Sequence, residues 1–263
     1  MAGPLIVRQG NRPLSISFES DIAMLERELP RWASERIPSI TRNALNDTAP
    51  EAREAERQKI RGVFDRPTPL TERSPLYTRA TKERLVVEVF IRDELGRGTP
   101  PARYLRPQVE GGGRPHKRFE VALLRMGIML PGEYALPAAG YRRDQYGNLP
   151  GPTIVQMLSQ LRAFAEVGFS MNETARSRKR AKRGRPRYFV PEGVRVERGI
   201  SRLPRGIYER QGNRIRAVVV FVRAPSYRKR YDFGQAAIAK AERVFFDYWR
   251  RHFYAELQRK LSN

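Results

Sequence analysis

Cysteine is absent from the 263 residues, and histidine occurs only twice, as His116 and His252. The first absence excludes disulfides, thiolate metal sites and cysteine nucleophiles together. The second means that a zinc site would have to take most of its ligands from carboxylates. No apolar run approaches the roughly 18 residues needed to span a bilayer, and the N-terminus has no apolar signal-peptide core; a membrane is not expected as a partner. Acidic residues are also scarce. There are 28 Asp+Glu against 51 Lys+Arg, a net charge of +23. An excess of that size draws polyanions to the surface. Nucleic acid is the commonest such partner, ahead of an anionic membrane or an acidic protein.

With 40% hydrophobic and 10% aromatic residues, the chain has enough apolar material to bury a core of one large domain or two small ones. The charge is unevenly spread. Residues 1–64 carry 10 basic and 9 acidic side chains, a net of +1, and residues 65–175 carry 16 and 12, a net of +4. Residues 176–187 carry 8 basic and no acidic side chains, and residues 201–263 carry 15 and 5, a net of +10. One face for protein contacts and another for a polyanion would account for this asymmetry.

The pattern predicts an α+β fold, with N- and C-terminal amphipathic helices packed on a small antiparallel sheet and long basic loops between. Residues 1–13, with Gly3, Pro4, Gly10 and Pro13, read as an extended N-terminal arm. Residues 14–263 read as a single domain. Ser20 can cap a helical pattern carried by Ile22, Leu25 and Leu29, which Pro30 and Pro38 are expected to interrupt or bend. A further helix is expected over Asp47–Phe64, with Pro50 in its first turn. Leu85–Ile91 reads as a strand and Phe119–Gly127 as a short helix. Residues 96–118 and 131–152 are expected to be long loops, the triple glycine Gly111–Gly113 forming a flexible tip. Ile154–Val167 has the 3–4 spacing of an amphipathic helix. Two extended runs around Gly212-Asn213 predict a β-hairpin. Ile238, Ala241, Phe245, Trp249, Phe253, Leu257 and Leu261 predict a long final helix that buries Phe245, Trp249 and Phe253 against the sheet or an adjacent subunit.

The sharpest local feature is a basic arm at residues 170–190. Arg176, Arg178, Lys179, Arg180, Lys182, Arg183, Arg185 and Arg187 fall within twelve positions. Such a block cannot pack on itself, so it stays solvated or meets phosphate. The guanidinium fork suits bidentate phosphate contact. Aromatics for stacking on bases are not interleaved, so binding is expected to ignore sequence. A disordered loop or a patch that meets an acidic neighbouring protein is the plainer alternative. Arg228, Lys229 and Arg230 could extend the basic surface or simply flank a strand end. His116, among cations, would be a poor general base, and His252 lies on the final helix. Asp93 and Glu94 follow a strand without a spaced acidic partner for Mg²⁺, so nuclease chemistry is not expected. The triple glycine lacks the GK[ST] of a phosphate loop. No catalytic, cofactor-binding or metal-binding residue is expected, and no cofactor.

Four segments carry a resemblance. TRATKERLVVEVFIRD, GTPPARYLRPQVEGGGRPHKRFEVALLRMGIM, DQYGNLPGPTIVQMLSQL and LPRGIYERQGNRIRAVVVFVRAPSYRKRYDF resemble virion proteins of tailed phages, and the plan is similar to the minor tail protein Z and tail-completion family. The resemblance covers about residues 35–261 and rests on size and spacing, with loops 96–118 and 131–152 matching least. It implies a structural protein of the head–tail neck or upper tail, and no catalytic residues. The implied partners are a homo-oligomeric ring, other neck or tail proteins (portal, adaptor or tail tube side) and sequence-independent double-stranded DNA. The implied location is the virion, with the host cytoplasm before assembly. A free nucleic-acid-binding protein, or less readily a DNA-processing enzyme, is the alternative.

Overall fold

From the N-terminus the elements run β1 (Leu5–Gln9), β2 (Ser15–Ser20), α1 (Arg31–Val63), α2 (Pro69–Glu72), β3 (Pro75–Tyr77), β4 (Val86–Ile91) and α3 (Pro101–Glu110). They continue with α4 (Arg118–Arg125), β5 (Glu133–Pro137), α5 (Gly151–Gln160), β6 (Arg187–Phe189), β7 (Gly206–Gln211), β8 (Arg214–Arg223) and α6 (Gln235–Leu261). The structure, a computed structural model, describes residues 5–10, 12–20, 31–161, 175–176, 186–191 and 203–262. The fold is α+β. The helical pattern expected from Ser20 through Leu29 lies outside the described residues, apart from Ser20 itself, which ends β2.

Where one domain is expected from the sequence, the chain divides into two compact units. Unit 1 comprises Met1–Gly111 and Arg228–Asn263, and unit 2 comprises Gly112–Tyr227. Unit 2 is therefore an insertion, which periodicity along the chain cannot reveal.

In unit 1 the sheet order is β1-β2-β4-β3, antiparallel throughout. Residues 5–9, expected as part of an extended arm, are a paired edge strand instead. Backbone pairing with β2 satisfies groups that an isolated arm would leave to water. The terminal helices α1 and α6 run antiparallel and pack on this sheet. Ala44, Ala49 and Ala52 of α1 share a buried cluster with Ala237, Ala241 and Phe245 of α6 and with Ile16, Val87 and Val89 of the strands. Small residues at the helix contact let the two backbones approach.

Helix α1 is continuous for 33 residues and holds both Pro38 and Pro50 inside it. Each proline removes one N–H bond. Burial of Ile37, Ile40, Leu45 and Ile60 offsets that loss, so neither proline ends the helix. Only Phe245 of the three aromatics singled out on α6 is fully buried. Trp249 is half-buried, stacks on Phe253 at 5.2 Å and donates Nε1–H to Thr41 Oγ1 at 3.1 Å.

In unit 2 the sheet order is β5-β8-β7-β6, again antiparallel. The β7–β8 hairpin turns at Gly212, whose φ of +59° is the left-handed backbone that a two-residue hairpin turn demands. Leu123 of α4 and Met157 and Leu158 of α5 share a buried cluster with Ile207, Val219 and Phe221 of the sheet.

Both expected long loops contain regular structure. Residues 96–118 include α3, opened by Pro100 and Pro101 and fastened by the buried Ala102 and Leu105. Residues 131–152 include β5, paired along β8, and the start of α5. These short elements have weak local signals and owe their order to burial. The triple glycine is a crossing point, not a free tip. Gly112 and Tyr227 exchange both backbone bonds, N–H to O at 3.0 and 2.8 Å, where the chain enters and leaves unit 2.

Candidate nucleic-acid interface

The insertion concentrates the charge. Residues 112–227 contain 23 Lys+Arg and 8 Asp+Glu, a net of +15. The rest of the chain contains 28 and 20, a net of +8. Four of the unit's eight carboxylates are described, and all four are engaged within the unit.

Glu120, on the first turn of α4, is fully buried. Its oxygens accept both arms of the Arg114 guanidinium at 2.7 and 2.6 Å and the backbone N–H groups of Lys117 (2.6 Å) and Ala135 (2.9 Å). Burial is the largest influence and opposes ionisation. The Arg114 fork and the two backbone donors together outweigh it and hold the carboxyl below its ordinary range. Glu209, on β7, is also buried, accepts the Tyr141 hydroxyl at 2.8 Å and pairs with Arg216. Burial, the neighbouring Tyr188 and Glu209 push Tyr141 above the ordinary phenol range. Glu133 takes Arg205 at 2.8 Å and the Leu130 N–H at 2.7 Å. Asp144 accepts the N–H groups of Tyr146 and Asn148 at 2.9 and 2.8 Å in a local turn.

Of the arm, Arg176 and Arg187 are described and exposed, Arg187 on β6. Arg178, Lys179, Arg180, Lys182, Arg183 and Arg185 lie outside the described residues. Arg228, Lys229 and Arg230 belong to unit 1. Arg228 is exposed, and Lys229 faces Asp232 at 3.6 Å. Arg230 is structurally engaged: its guanidinium donates to Gln108 Oε1 and lies 5.0 Å over the Phe64 ring.

Residues not singled out in the sequence complete the cationic surface of unit 2. In the register of β6, β7 and β8, Arg187, Arg210 and Ile215 form one row. The adjoining row is Tyr188, Glu209 and Arg216, of which Tyr188 and Glu209 are buried. Alternation therefore puts the Arg187–Arg210–Ile215 row on the opposite face, where all three are exposed. Arg214 stands beside the turn. Neither Arg210 nor Arg214 has an ion pair among the described residues, and Arg210 rests 5.8 Å over the Phe189 ring. The string ERQGNRIR shows the cations flanking a turn, but only the register separates them, Arg210 on the face of Arg187 and Ile215, Arg214 and Arg216 on the other.

The histidines are packed into structure. His116 stacks on Tyr134 at 4.2 Å, and His252 Nε2 meets Asp47 at 2.7 Å. Asp93 lies 3.8 Å from Arg12. Among the described residues no group of three or more His, Asp or Glu converges as metal ligands, and no helix is long and apolar enough to cross a membrane. Unit 1 has an open cleft of about 850 Å³ between β1–β2, α3 and the start of α6. Its lining includes Leu14, Val109 and Phe233, and among its cations Arg106 and Lys229 pair with Glu110 (2.7 Å) and Asp232 (3.6 Å). No known protein family, characterised protein or solved structure matches the chain.

Proposed function

We propose that this chain is a non-enzymatic structural protein of a tailed-phage virion, acting at the head–tail neck or upper tail, where it meets passing double-stranded DNA through phosphate contacts that ignore sequence. The observation that carries the DNA contact is the charge arrangement of unit 2. Its net charge is +15, and its four described carboxylates, Glu120, Glu133, Asp144 and Glu209, are each engaged by internal donors. A cationic surplus of that size draws a polyanion such as DNA to the surface. The virion placement rests on the resemblance of the four segments between residues 35 and 261.

A neck protein would act as a ring, in which modest contacts repeat through equivalent interfaces that close on themselves. The exposed aromatics Phe246 and Tyr254 of α6 are candidates for such contacts. The test is native mass measured on the full chain, with and without a short DNA duplex. A closed oligomer of fixed copy number that takes up duplex supports the proposal. A monomer that binds duplex would favour the alternative of a free nucleic-acid-binding protein. Mg²⁺-dependent cleavage of the duplex, abolished by Asp93→Asn, would replace both with an enzyme.

A further inference from the structure

We infer that the β7–β8 hairpin of unit 2 is itself a phosphate-binding element for duplex DNA, contacting it through Arg210, beside Arg187 on one face, and Arg214, next to the turn on the other; this rests on the DNA-binding reading above. Three observations meet there. The register places Arg210 in one row with Arg187 and Ile215 across three strands. The three side chains of that row are exposed, whereas Tyr188 and Glu209 in the next row are buried. Finally, neither Arg210 nor Arg214 is neutralised by any described carboxylate, because the four in unit 2 are already engaged.

The tip is built to hold its cations in place. Gly212 supplies the left-handed turn residue, so Gln211 and Arg214 pair directly across the hairpin. The Phe189 ring beneath the Arg210 guanidinium restrains it without consuming its hydrogen-bond donors. A restrained fork loses less rotamer freedom on binding phosphate than an unrestrained one does. The occupant follows from charge. Row and tip offer guanidinium groups, the exposed amides of Gln211 and Asn213 and one exposed aliphatic side chain, Ile215, with no exposed ring among their described residues for a base to stack on. A phosphodiester backbone satisfies this chemistry.

The experiment uses the full chain and two unrelated duplexes of equal length, with affinity measured by fluorescence anisotropy across a salt series. Three proteins are compared: the wild type, Arg210→Gln/Arg214→Gln, and Arg210→Lys/Arg214→Lys. Each phosphate contact contributes roughly −0.9 to the slope of log affinity against log salt. The Gln pair is expected to make the slope shallower by about 1.8 on both duplexes, with an unchanged melting curve. The Lys pair should restore the slope, since it keeps the charge. If the wild type binds DNA and the Gln pair keeps the wild-type slope, the hairpin inference falls while the DNA-binding reading stands. If the wild type binds neither duplex, the broader reading falls with it. Loss of binding to polyglutamate with an unchanged DNA slope would assign the tip to an acidic protein and overturn the inference.

Discussion

Glu56→Ala should unfold unit 1 far more readily than its position in mid-helix suggests. Glu56 lies on α1, is 0% exposed, and serves a different helix. Its oxygens accept the Tyr231 hydroxyl at 2.8 Å and the N–H groups of Gly234 and Ala237 at 3.0 and 3.2 Å. Gly234 is the N-cap of α6 and has no side chain to cap it, so the Glu56 carboxylate takes that role from across the helix pair. Removing it leaves three buried donors without an acceptor, at about 1–3 kcal/mol each. Part is returned, because the cost of burying the carboxylate disappears. The expected loss is therefore about 3–5 kcal/mol.

Both tryptophans, Trp32 and Trp249, fall in unit 1, so urea unfolding followed by tryptophan fluorescence reports on that unit. Burial is the largest influence on Glu56 and raises its pKa, against the hydrogen bonds that lower it. A raised carboxyl binds its proton more tightly when folded. Its contribution is present below the ordinary carboxylate pKa and is lost as pH rises through the folded value. Glu56→Gln should accordingly narrow its deficit against the wild type as pH rises above the ordinary carboxylate range. An Ala variant within about 0.5 kcal/mol of wild type, the scatter of ordinary surface substitutions, would refute the cap.

Other outcomes follow from the packing. Arg114→Ala leaves Glu120 buried and unpaired and should destabilise unit 2 by about 3–5 kcal/mol, measured by urea unfolding followed by tyrosine fluorescence. Because Glu120 is held below its ordinary range, its contribution is present above the unfolded carboxylate pKa and lost as pH falls through the folded value; Glu120→Gln should flatten that acid limb. Gly206→Ala would place a Cβ 2.2 Å from the Val219 carbonyl oxygen, forcing β7 and β8 apart at a cost of about 1–3 kcal/mol, seen as a lower urea midpoint. Phe245→Ala should cost unit 1 about 3–5 kcal/mol, and Trp249→Ala, at a half-buried position, less than that.

What could be read from the sequence was what depends on neighbours along the chain. The final helix, the strand before Asp93 and the Gly212-Asn213 hairpin each carry their own periodicity or turn chemistry. The continuity of α1 through Pro38 and Pro50 could not be read, because the compensation comes from α6 and the sheet. Likewise α3 and β5 are ordered by partners distant in sequence, and β1 by a backbone pairing with β2 that its own side-chain pattern does not signal. The basic arm was visible as composition, but the internal engagement of the described carboxylates was not. Glu120 and Glu209 look like ordinary acidic residues until the fold buries them against Arg114 and Arg216. The placement of Arg210 and Arg214 on the two faces of the hairpin end depends on the register, which the string alone does not carry.

The central claim is that unit 2 presents its charge outward to the DNA backbone. Its most direct test is the salt dependence of wild-type binding, compared with a variant in which the eight cations from Arg176 to Arg187 are replaced by Gln. The account predicts wild-type lines of log affinity against log salt that coincide for unrelated duplexes and fall steeply, and a variant that stays folded with a shallower slope on both. Equal slopes for the two proteins would show that the arm makes no phosphate contact, and a wild-type affinity insensitive to salt or selective for one duplex would contradict the claim itself.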